Sequence, residues 1–201
     1  NRVFLTDFSG FVTYDTTAPA YVRVPTSMAL QPRFPGLPSF NDIRPSIGVF
    51  IQVGAYTMAF EHIMKYLRIL CDTLTNKDIT VVCTILDTLS EKDAAKVLES
   101  IRSIQTLSRN QVHILSVPNR GMDIGAFLRS VLYCQEHNIT FDFICKLHTK
   151  SDRKWREALC DPIVGSSTRI ENICRILSSI PSVGCCAGKL PPPPLSQHRR
   201  L

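Results

Sequence analysis

Four short runs, apolar on nearly every residue and separated by segments of helical spacing, constrain this chain more than any other feature. They are IGVFIQV (47–53), ITVVCTIL (79–86), VHILSV (112–117) and FDFICKL (141–147). A strand with one wet face alternates apolar and polar residues, whereas one buried on both faces reads as a continuous apolar run. After the first run, Phe60, Ile63, Met64, Leu67, Leu70, Cys71 and Leu74 recur at three- and four-residue intervals, the spacing of one helix face. Ser90 and Asp93 open a second helix like a capping box with Asp in place of Glu or Gln. Ala94, Val97, Leu98, Ile101 and Ile104 continue its apolar stripe. A third helix is predicted from Asp123 to about His137, with Ile124, Phe127, Leu128, Val131 and Leu132 inward. A helical pattern from Thr168 to Leu177 then precedes SVGCCAG (182–188), which reads as a fifth strand. Alternation of this kind predicts an α/β fold, a mostly parallel sheet flanked by helices.

Proline marks the boundaries. Ten of the 13 prolines fall in residues 1–45 or 191–201, where their fixed φ and missing N–H oppose regular structure. The expected organisation is a proline-rich irregular extension (1–45) with room for a strand pair, an α/β domain (46–190), and a proline-rich basic tail (191–201). No apolar run reaches the roughly 18 residues of a membrane span, so a cytoplasmic protein is expected, with peripheral association at the cytosolic face of a membrane compatible with the sequence. The eight cysteines form no Cys-x-x-Cys pair, and most sit among apolar residues of predicted elements. They read as buried free thiols in a reducing compartment.

Lys and Arg exceed Asp and Glu by 23 to 17, a net charge of +6, which favours anionic partners. In parallel sheets ligands bind beyond the carboxyl ends of the strands. Those ends hold Gln52 to Tyr56, Asp87, the loop 118–125 and the segment 146–156. The loop VPNRGMDIGAFL (117–128) joins a strand to a helix. Gly121 and Gly125 allow a tight turn and close approach to a ligand, Asn119 and Arg120 offer donors, and the helix N-terminus favours an anion. Asp123 fits a helix cap or a ligand contact equally well. The segment CKLHTKSDRKWREAL (145–159) carries Lys146, Lys150, Arg153, Lys154 and Arg156 against Asp152 and Glu157, with His148 and the single Trp155 among them. A solvated basic loop is the bland reading; position at a strand end favours an anion site. Recognised nucleic-acid motifs and interleaved aromatics are missing from it, so nucleic acid is not an expected partner.

The two blocks together resemble the rhamnan synthesis protein F family, a glycosyltransferase-like group acting in rhamnose-containing polysaccharide assembly. Asn119, Arg120, Gly121, Asp123, Ile124, Gly125, Phe127 and Leu128 match its first block, and Lys146, Leu147, His148, Thr149, Lys150, Trp155 and Arg156 its second. The chain departs from it at the end of the first strand, where Gln52 stands in place of a histidine arrangement. The resemblance implies the Rossmann-like, nucleotide-sugar-binding half of a GT-A type glycosyltransferase. It also implies a nucleoside diphosphate sugar as donor, with rhamnose as the sugar, and a glycan or lipid-linked acceptor. Gln52, Tyr56, Asp87, Asn119, Arg120, Gly121, Asp123, Gly125, Lys146, His148, Lys150, Trp155 and Arg156 are the expected donor-binding residues, with His148 and Asp123 as catalytic candidates. No cofactor is required on this reading, because Lys146, His148 and Lys150 with Arg120 would neutralise the leaving diphosphate; a divalent metal is the alternative. The competing function is a catalytically incomplete nucleotide-sugar-binding or structural module, an expectation prompted by the short span after the fifth predicted strand.

Overall fold

The computed structural model describes residues 2–4, 36–54, 56, 58–104, 112–149, 152–180, 183, 184 and 186. Its sheet is parallel throughout. The strands are β1 (Arg2–Phe4), β2 (Ser46–Val53), β3 (Asp78–Leu86), β4 (Val112–Val117) and β5 (Phe143–His148), and they lie in the order β1-β5-β2-β3-β4. The helices are α1 (Met58–Thr73), α2 (Glu91–Arg102), α3 (Met122–Glu136), α4 (Arg153–Val164) and α5 (Ser167–Ser179). Every residue of β5, and every residue of β2 after Ser46, is buried, as continuous apolar runs require.

Connectivity decides which helix covers which face. From β2 to β3 to β4 the chain steps one way across the sheet, and then it returns past β2 to β5. A right-handed crossover after that reversal must lie on the opposite face. Accordingly α1, α2, α4 and α5 pack on the face formed by Ile47, Val49, Ile51, Val53, Val81, Cys83, Cys145 and Leu147. Helix α3 packs on the other, where Phe50, Val82 and Ile144 meet Phe127, Val131, Cys134 and Phe141. The boundary between β2 and β5 is therefore the topological switch point.

Local signals explain the helix starts. Ser90 Oγ accepts from the Asp93 N–H at 3.2 Å and donates to Asp93 Oδ2 at 3.0 Å. The shorter Asp thus closes the box on the serine hydroxyl itself. Asp152 Oδ1 caps α4 by accepting from the Trp155 N–H at 2.9 Å. Ahead of β2, Lys77 donates to the carbonyls of Phe40 and Ile43 at 2.9 and 2.6 Å, and Arg175 Nε to that of Pro38 at 2.7 Å. These bonds pin the segment 37–43 to the domain.

Three expectations need correction. Val183, Gly184 and Cys186, the described residues of the predicted strand 182–188, are not in a strand; the edge beside β5 is taken by Arg2–Phe4, paired in parallel with Phe143–Cys145. Helix α4 was hidden by its charge: Leu159, Cys160, Ile163 and Val164 form a buried stripe behind the basic residues. On α3 only part of the predicted inward set faces the sheet. Ile124, Leu128 and Leu132 are 46, 53 and 44 % exposed, because their arc of the helix turns past the strands. Other expected strands in 5–35 lie outside the described residues.

Cys71, Cys83, Cys134, Cys145, Cys160 and Cys174 are buried free thiols. Burial pushes Cys83 and Cys174 up to about 12 and Cys134 up to about 11, so they are protonated and unreactive near neutrality. Among the described residues no helix is long and apolar enough to cross a membrane.

Candidate functional site

Parallel strands bring all their carboxyl ends to one edge, and at the switch point two of those ends are stitched together. The Thr149 N–H donates to the Gln52 carbonyl at 3.1 Å, and the Gly54 N–H donates to Thr149 Oγ1 at 3.2 Å. Register then sets Thr84, Gln52 and His148 side by side on β3, β2 and β5. All three belong to the α3 face and are buried, Gln52 and His148 with 5 % of their surface exposed. Thr84 satisfies its hydroxyl by donating to the Ile51 carbonyl at 3.3 Å. Gln52 differs: among the described residues neither its Oε1 nor its Nε2 has a hydrogen-bond partner. A buried amide left so costs about 1–3 kcal/mol, and so calls for an explanation.

Lys146 lies one side-chain position back along β5, opposite Phe50 on β2. Its side chain is fully buried, with Nζ 5.8 Å from the centroid of the Phe127 ring, within the range of a cation–π contact. A cation therefore sits beneath the polar row, in a setting far less screened than water.

The loop 118–121 brings Asn119 and Arg120, both exposed, to the same edge at the start of α3. Its two glycines have separate local reasons. Gly121 adopts φ 72°, the left-handed region that favours glycine. A Cβ on Gly125 would lie 2.0 Å from the Arg120 carbonyl oxygen, so the loop can fold against the first turn of α3 only because that position is bare. Close packing of the loop is thus the role the geometry gives Gly125. Asp123 stands in the first turn of α3; its side chain lies outside the described set, as does all of Lys150.

The remaining expected residues are spread around the edge. Asp87 is exposed, and its N–H donates to the Val117 carbonyl at 2.9 Å, tying the ends of β3 and β4. Tyr56 turns toward α1 and α2: its hydroxyl donates to Glu61 at 3.0 Å, and Lys96 lies 4.9 Å from its ring centroid. The Glu61 bond raises the Tyr56 phenol above its ordinary value. Trp155 is 38 % exposed on the first turn of α4. Arg156 is buried on the opposite face from Gln52, and its Nε donates to His62 Nδ1 at 3.4 Å. Burial, then the Arg156 charge, holds the His62 imidazole below its ordinary value, which keeps it neutral and able to accept that bond.

The switch point thus unites Gln52 and His148, with Lys146 beneath them, whereas Tyr56, Trp155 and Arg156 belong to its surroundings. Thr84 and Thr149 were missed by the sequence reading. Thr84 is legible as a polar residue inside an apolar strand, and Thr149 as a member of the second block. The donors at the polar row are amide, hydroxyl, imidazole and ammonium groups, with the Asp87 carboxylate further along the edge. Among the described residues no three His, Cys, Asp or Glu side chains gather as a metal site.

A family model described as rhamnan synthesis protein F matches residues 54–192, which include both the loop 117–128 and the segment 145–159. The matched span begins two residues after Gln52. Neither the curated proteins nor the solved structures contain a match to the chain.

Proposed function

The chain belongs to the rhamnan synthesis protein F family, and from that premise we propose that its sheet edge binds a nucleoside diphosphate sugar, with rhamnose as the sugar, for transfer to a glycan or lipid-linked acceptor. The observation that carries this reading is the buried carboxamide of Gln52 beside His148 at the switch point. A side-chain amide offers a donor and an acceptor side by side, suited to a base edge or a sugar diol. The core order β4-β3-β2-β5 follows the same course as the first four strands of a Rossmann-like sheet, whose crevice takes nucleotides at the reversal.

Transfer breaks the bond between the anomeric carbon and the diphosphate, so negative charge grows on the leaving phosphate. Arg120, at the mouth of the loop, and Lys150 meet that charge directly. Lys146, buried below the row, adds a fixed positive potential. His148 or Asp123 takes the proton of the acceptor hydroxyl. Cationic side chains thus assume the role a divalent metal has in many GT-A enzymes.

Thermal-shift and calorimetric titration with nucleoside diphosphate rhamnose tests the reading. The expected result is a specific rise in Tm, lost in Gln52→Met and Arg120→Ala and unchanged by excess EDTA. No response to any nucleoside diphosphate sugar would sink it. Binding without transfer to any acceptor would identify a donor-binding module instead.

A further inference from the structure

The candidate site lies where β2 and β5 separate, and one side chain decides how they part. Gln52 and His148 are the last pair in the register of the two strands. One step further the Thr149 N–H still donates to the Gln52 carbonyl at 3.1 Å. In a regular parallel ladder the next bond would run from the Gly54 N–H to the main-chain carbonyl of residue 149. Here the Gly54 N–H donates to Thr149 Oγ1 instead, at 3.2 Å, and the same hydroxyl donates to the Gln52 carbonyl at 3.4 Å. A side-chain oxygen has thus taken the place of a backbone acceptor, and it bridges the chain on both sides of Val53.

On the reading that this edge binds a nucleoside diphosphate sugar, we propose that Thr149 is a positioning residue of the site. Its hydroxyl ends the ladder directly beyond Gln52 and His148 and fixes the main chain from which the Gln52 carboxamide meets the ligand. That carboxamide makes no hydrogen bond of its own among the described residues, so its orientation rests on the backbone that carries it and on packing. Thr149 is half-buried and Gly54 exposed, which sets the bridge at the boundary between the buried polar row and solvent. The bond itself, and not the bareness of glycine, holds the loop there. A Cβ on Gly54 would meet only ordinary contacts, Leu86 at 3.6 Å and Thr149 Oγ1 at 3.8 Å. Threonine suits the task because its branched Cβ restricts χ1, keeping the hydroxyl in the bridge before a ligand arrives. Such preorganisation improves affinity by lowering the cost of ordering the site on binding.

Two variants of the full chain test this. Thr149→Val removes the hydroxyl at nearly constant shape and sets a methyl group against the Gly54 N–H, whereas Thr149→Ser keeps the hydroxyl. Calorimetric titration with nucleoside diphosphate rhamnose should give a Kd about tenfold weaker for Thr149→Val, and within about threefold of the parent for Thr149→Ser, as the loss of one hydrogen bond predicts. Amide hydrogen exchange without ligand should be about tenfold faster at Gly54 in Thr149→Val and close to the parent in Thr149→Ser. Thr149→Ala provides the same comparison should the valine substitution prevent folding. If Thr149→Val binds the donor as tightly as the parent, or if Thr149→Ser is impaired as much as Thr149→Val, the proposal fails. If the parent binds no nucleoside diphosphate sugar, the donor reading fails by itself. Exchange at Gly54 then decides the role of the hydroxyl: no change in Thr149→Val would overturn it, and faster exchange reversed in Thr149→Ser would uphold Thr149 as the residue that parts the strands.

Discussion

On β2, β3 and β5 the face beneath α1, α2, α4 and α5 is apolar at its inward positions, whereas the face beneath α3 holds Gln52, Thr84, Lys146 and His148 among its buried residues. Among the described residues four helices cover the first face and one the second. The difference separates two requirements that a small domain must meet together. Buried apolar area supplies stability, while a binding edge needs polar groups whose burial costs free energy unless they are partnered. Concentrating the first on one face lets the other carry an unsatisfied amide and a buried lysine without unfolding the chain.

The largest expected effect breaks the stable face. Phe60, fully buried on α1, should cost about 3–5 kcal/mol when changed to Ala. Leu128→Ala on the outer side of α3 should stay within about 0.5 kcal/mol. Urea denaturation of both variants measures the asymmetry, and comparable losses at the two positions would remove it.

A substitution of opposite sign follows on the α3 face. Gln52→Met keeps the length of the side chain and removes two unsatisfied polar atoms. Stability should rise by about 1 kcal/mol, while the response to nucleoside diphosphate rhamnose disappears. A destabilised Gln52→Met protein would mean that the amide has structural partners, and the candidate site would lose its central observation.

How far this asymmetry was legible in the sequence depends on the range of the interaction. Strands β2 to β5 and helices α1, α2 and α5 follow from local spacing. Helix α4 was obscured because Arg153, Lys154 and Arg156 dominate its opening, although Asp152 is a regular N-cap. Periodicity marked Ile124, Leu128 and Leu132 as apolar on α3, yet it cannot say where an apolar arc leaves the sheet. The edge beside β5 belongs to residues 2–4, a choice made by long-range pairing. The conjunction of Gln52 with His148 likewise spans 96 positions and exists only through the register of β2 with β5. Strand-end position nominated both residues; only the fold made them neighbours.

The smallest predicted effect sharpens the comparison, because each face carries one half-buried histidine whose imidazole is held below its ordinary value. His113 on β4 meets the Tyr133 hydroxyl of α3 at 3.0 Å through Nδ1. Burial, and then the nearby charge of His137, lowers its imidazole below the ordinary value near 6.5. His62 is lowered on the other face, by burial and then by Arg156. In both cases the folded chain binds the proton less readily than the unfolded chain. Their contribution to stability is therefore present above about pH 6.5 and is lost as pH falls through the folded values. Melting temperature should decline between about pH 7 and pH 5.5, a window that lies above ordinary carboxylate titration. His113→Gln and His62→Gln should each flatten part of that decline, and the double variant more than either. If His113→Gln left the slope unchanged while His62→Gln removed it, acid sensitivity would belong to the four-helix face alone, and the α3 face would owe its polarity to ligand binding without a cost in protonation.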